Sequence, residues 1–236
     1  MPHLEYFAES VVALNAFVFP RAVRRYQLDI VKGGCFHLIS PCSGARVEPT
    51  SCHLFNLGDA AHGNIGIAYR LLSPAPLWLL AASVKDGFPI VEVYDPVADD
   101  TLWLLGQVHA RENIPWRRQL RRLELAAADV PMPVVGAGKV SVLMGHPNFA
   151  HHLWNELPAL YAIAESGDFA SRALDITTIY EPLLPIANIA ESLDVTLRRV
   201  LCFDQVSGFQ SEMVTRLGST QISGSLRKKI VRMVQQ

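Results

Sequence analysis

Between Cys35 and His109 the apolar residues come in runs of strand length: Phe36–Ile39, Ile65–Leu72, Leu77–Ala82, Ile90–Tyr94 and Leu102–Val108. Turn formers stand between them, at Pro74-Ala75-Pro76, Lys85-Asp86-Gly87 and Asp95-Pro96. A chain broken this often by residues that reverse its direction pairs each run with the next, so the spacing predicts a mostly-β region, an antiparallel meander. Near its end, Ile114–Asp129 has Trp116, Leu120 and Leu123 on one helical stripe. Arg117, Arg118, Arg121 and Arg122 fill the other faces, which reads as an amphipathic helix with solvated arginines.

Two prolines and two glycines in Val130-Pro131-Met132-Pro133-Val134-Val135-Gly136-Ala137-Gly138 cannot sit inside a regular element without cost. The segment therefore divides a mostly-β N-terminal region, residues 1–133, from a second domain, 134–236. Beyond it the pattern alternates, with strands expected at Val140–Met144, Ile176–Tyr180 and Thr196–Phe203 and helices at Ala150–Ser166 and Pro185–Leu193. Such alternation predicts an α/β fold, a Rossmann-like βαβαβ unit with a parallel sheet. Gly136-Ala137-Gly138 precedes its strand instead of following it, the wrong order for a dinucleotide fingerprint.

A chain of 236 residues that is 50% hydrophobic and 18% charged can bury a large core. Its formal net charge of −1 offers no general attraction to nucleic acid. Cys35, Cys42, Cys52 and Cys202 lack paired C-x-x-C spacing and read as thiols of a reducing compartment. With His37 and His53 the first three match no standard zinc finger, and buried thiols fit better. Val11–Phe19 is too short to span a bilayer, and its arginines lie on the wrong side for a signal peptide. The expectation is a cytoplasmic protein with no transmembrane segment, with peripheral membrane association left open.

Chemistry concentrates in Asn148-Phe149-Ala150-His151-His152-Leu153-Trp154-Asn155-Glu156-Leu157-Pro158-Ala159-Leu160, directly after the strand expected at Val140–Met144. On a helix, His152 and Glu156 share a face and His151 pairs with Asn155, while Asn148 is placed to cap the free N–H groups. Pro158 removes one helical hydrogen bond and should kink the element, opening a pocket at its first turn. His151 or Glu156 is then a candidate general base, and Asn148, His152, Asn155 and Asp204, at the end of the third strand, are candidate substrate contacts. A metal held by His146, His151 or His152 with Glu156 lacks the H-E-x-x-H spacing and is set aside. No G-x-S-x-G elbow supports hydrolase chemistry.

Asn148, Phe149, His151, Leu153, Glu156, Leu157, Pro158 and Leu160 resemble the N-F/Y-x-H-x-L-x-x-E/D-x-L-P-x-L signature of the family 61 glycosyltransferases. Ala159 stands where that family commonly has arginine. The resemblance implies an inverting transferase of GT-B type, which moves a sugar from a sugar nucleotide to a glycan or other hydroxyl acceptor in polysaccharide or cell-surface glycan biosynthesis. It implies no cofactor or essential metal, with the sugar nucleotide as donor substrate, and it ranks His151 first as base. The family's second Rossmann half has little room after Phe203. That shortfall sets a second expectation: a non-catalytic carbohydrate-binding module that has lost the donor half, or one dependent on a partner chain or self-association.

Overall fold

The computed structural model describes residues 26, 27, 29–39, 45–56, 65–72, 75–82, 88, 90–104, 114–127, 139–144, 173–178, 196–199, 213–216 and 232. A short antiparallel pair comes first, β1 (Leu38–Ile39) with β2 (Arg46–Val47). Five strands then form one antiparallel sheet in chain order: β3 (Ser51–Asn56), β4 (Ile65–Leu72), β5 (Pro76–Ala82), β6 (Ile90–Asp95) and β7 (Asp100–Leu104). Pro76 opens β5, where a missing N–H costs the ladder least. At the β6–β7 turn, Asp95 Oδ1 accepts the N–H groups of Val97 and Ala98, and Asp99 takes φ 57°, a left-handed conformation that aspartate tolerates.

The register sorts this sheet into two faces, because directly opposed residues point the same way and neighbours along a strand point apart. His53, Ala68, Leu80 and Glu92 stand in one row, and Ser51, Arg70, Trp78 and Tyr94 in the next. The helix Ile114–Ala126 covers this face, laying Trp116 and Leu120 into a cluster with Phe55, Ala68, Trp78, Leu80, Ala82, Val91 and Tyr94. On the opposite face Tyr69 meets Tyr26 and Phe36 edge to face, at centroid distances of 5.7 and 5.1 Å. Tyr26 belongs to a helical segment, residues 26, 27 and 29–33, closed where the N–H of Gly34, at φ 76°, donates to Ile30 O.

A second, smaller sheet is parallel: β8 (Lys139–Met144), β9 (Ala173–Thr178), β10 (Thr196–Arg199) and β11 (Met213–Arg216), in the order β10-β9-β8-β11. The chain steps outward from β8 to β10 and then crosses back to put β11 on the free side of β8. Within it, the Ser141 and Thr177 hydroxyls bond at 2.8 Å. β11 meets β3, and buried Gln27 joins the two sheets by donating from Nε2 to Phe88 O at 2.8 Å and to Arg216 O at 2.9 Å. Tyr26 donates to the same Phe88 carbonyl at 2.7 Å.

The expected α/β fold with a Rossmann-like βαβαβ unit is corrected by this architecture. Antiparallel sheet dominates the described residues, and parallel pairing is confined to four strands of four to six residues. The 114–126 helix lies on the antiparallel sheet, and no helix between the parallel strands is among the described residues. The alternation that suggested the unit is a local pattern, whereas fold class is set by which strands pair. Two strands lack the expected apolar run: β3 carries Ser51, His53 and Asn56, and β11 is four residues long.

Gln27 bonds to both sides of the junction between the sheets. Gln27→Leu keeps the volume but leaves two buried carbonyls without that donor, and it should cost about 2 kcal/mol in urea unfolding.

Candidate functional site

All strands of a parallel sheet end on the same edge, and here that edge is formed by Met144, Thr178, Arg199 and Arg216. Met144, Thr178 and Arg199 are in register with one another, and Arg216 is in register with Leu143. The order reverses between β8 and β11, the kind of place where diverging connections leave a crevice for a ligand in open parallel sheets. Thr178 and Arg216 are buried at this edge, and the Arg216 guanidinium lies 5.9 Å from the centre of the Phe88 ring.

Asn148, His151, His152, Asn155, Glu156 and Asp204 lie outside the described residues. In the sequence, Asn148 follows the end of β8 by four residues. No protein-family model, curated protein or solved structure matches the chain.

A second polar constellation, not anticipated from the sequence, lies between the 114–126 helix and the antiparallel sheet. Behind Trp116, Leu120 and Leu123 runs a parallel stripe of Arg117, Arg121 and Glu124, one position further along the helix. Each member finds a charge on the sheet or its β6–β7 turn. Arg70 forms a two-pronged pair with Glu124 through Nε, at 2.8 Å, and Nη2, and Trp78 Nε1 donates to the same carboxylate at 3.1 Å. Glu92, 0% exposed, pairs with Arg117 Nη2 at 2.7 Å and accepts from Thr101 Oγ1 at 2.6 Å. Arg121 pairs with Asp99, which also accepts from Tyr94 OH at 2.6 Å.

The solvated-arginine expectation is thereby corrected for Arg117, while Arg118 and Arg122 are exposed and Arg121 makes its ion pair at the surface. The signal that could have found the network is charge inside apolar runs, Arg70 in Ile65–Leu72 and Glu92 in Ile90–Asp95. A charge buried in a strand needs a partner, and the adjacent helix offers three.

His53 belongs to the same layer, its ring 5.3 Å from Trp78 and edge to face with it. Burial, reinforced by the Arg70 charge, pulls its pKa down to about 4, so the imidazole is neutral at physiological pH. Cys52, next along β3, faces the other side of the sheet, which prevents these two neighbours from sharing a metal. Among the described residues no three His, Cys, Asp or Glu side chains come together as a metal site. Burial, with the Glu48 carboxylate second, pushes the Cys35 thiol up to about 11, leaving little thiolate at neutral pH. No helix among the described residues is long and apolar enough to cross a membrane.

Glu124→Leu should destabilise the protein by about 3 kcal/mol, measured by chemical denaturation, because it leaves Arg70 and the Trp78 N–H without their shared acceptor. The depressed folded-state pKa of His53 makes protons bind the unfolded chain preferentially. Its contribution is complete above about pH 6.5 and is lost as pH falls toward 4, the full span being worth about 3 kcal/mol. Denaturation midpoints measured between pH 7 and 4 should therefore fall less steeply in His53→Phe than in the parent.

Proposed function

We propose that this chain is a glycosyltransferase-like protein that passes a sugar from a sugar nucleotide to a glycan or other hydroxyl acceptor in polysaccharide or cell-surface glycan assembly. The observation that carries the reading is where the motif begins. Asn148–Leu160 follows β8, which has a parallel neighbour on each side and stands where the strand order reverses.

The acceptor hydroxyl gives its proton to the base as its oxygen bonds the anomeric carbon. The bond from that carbon to the donor diphosphate breaks on the opposite side, and the nucleoside diphosphate leaves with the electron pair. His151 is the first candidate for the base and Glu156 the second, since each can accept a proton near neutral pH when its surroundings tune it. Asn148, His152, Asn155 and Asp204 are the candidate contacts to donor and acceptor. The reading needs no metal ion, and it places the protein in the cytoplasm, with peripheral contact to a membrane that carries the acceptor.

Calorimetric titration with sugar nucleotides, followed by a transfer assay, tests the proposal. The parent chain should bind a donor and turn it over, and His151→Ala should lower turnover by about a hundredfold or more while its unfolding midpoint stays unchanged. Glu156→Gln separates the two candidate bases. Absence of both donor binding and turnover would overturn the transferase reading in favour of a carbohydrate-binding or partner-dependent module.

A further inference from the structure

On the helix-covered face of β3, two polar atoms are buried with no hydrogen-bond partner: Ser51 Oγ and His53 Nε2, in residues 1% and 6% exposed. They belong to residues i and i+2 of one strand, so their side chains leave the same face from Cα atoms about 6.5–7 Å apart. Arg70 stands directly opposite Ser51 and commits Nε and Nη2 to Glu124, which leaves Nη1 as a further donor. Ala68, a small residue, stands opposite His53.

We propose that this place is a built site for one ordered water molecule, held by Ser51 Oγ, His53 Nε2 and the Arg70 guanidinium. A water has both donors and acceptors, so it can donate to the imidazole lone pair while accepting from the hydroxyl and the guanidinium. Two unsatisfied buried groups are costly, and one shared water satisfies both. The imidazole is then fixed with its proton on Nδ1, and the junction between β3, β4 and the 114–126 helix gains a polar link that the side chains do not make directly. The site is independent of the transferase reading.

A crystal structure of the full chain at a resolution that orders water should show one peak within hydrogen-bond distance of both atoms. A direct Ser51–His53 bond, or a site without density, overturns the proposal. In solution, a double-mutant cycle of Ser51→Ala and His53→Phe in urea should show an interaction of about fivefold in the unfolding constant, since either change strands the same water. Additive effects would count against it. Should either variant fail to fold, a long-lived nuclear Overhauser effect from water to the His53 ring in the parent protein decides the matter, and its absence overturns the proposal.

Discussion

Burial of the five-stranded sheet on both faces is the constraint on which the rest depends. Antiparallel sheets commonly leave one face in water, and their strands then alternate apolar and polar residues. Here β4, β5 and β6 are buried at nearly every position, because the 114–126 helix covers one side and the segment around Tyr26 and Phe36 covers the other. Any polar group on these strands must find its partner inside the protein. That requirement explains why Arg70, Glu92 and Trp78 meet charges from the helix and why Tyr26 and Gln27 converge on one carbonyl.

The helix is attached by two adjacent stripes with different physics. Trp116, Leu120 and Leu123 supply nondirectional apolar burial, and Arg117, Arg121 and Glu124 supply ion pairs that fit only one placement along the sheet. Burying charge costs free energy, so the ionic stripe adds little net stability over apolar packing of the same volume. Its physical effect is registry: a shift by one turn would place Arg117 where Arg121 stands and leave Glu92, fully buried, without a cation.

Among the described residues, a polar contact joins the two sheets. One glutamine amide bridges Phe88 in the approach to β6 and Arg216 at the end of β11, and so fixes the carboxyl edge of the parallel sheet against the larger sheet. In the sequence, the motif at Asn148–Leu160 begins four residues after the end of β8. Its chemistry is written in the sequence as a dense set of amide, imidazole and carboxylate groups.

Several elements were legible in the sequence, because hydrophobic periodicity is a local quantity. The runs at Ile65–Leu72 and Ile90–Tyr94 and the stripe of Trp116, Leu120 and Leu123 announce their elements without reference to distant residues. Pairing is nonlocal, and the tertiary structure alone decided it. Only there does β3, marked by no apolar run, become a strand through its ladder with β4, and only there do Arg70 and Glu124, 54 residues apart, become one ion pair. The balance of sheet types was decided in the same way, since an apolar run records that a strand is buried and carries no information about the direction of its neighbour.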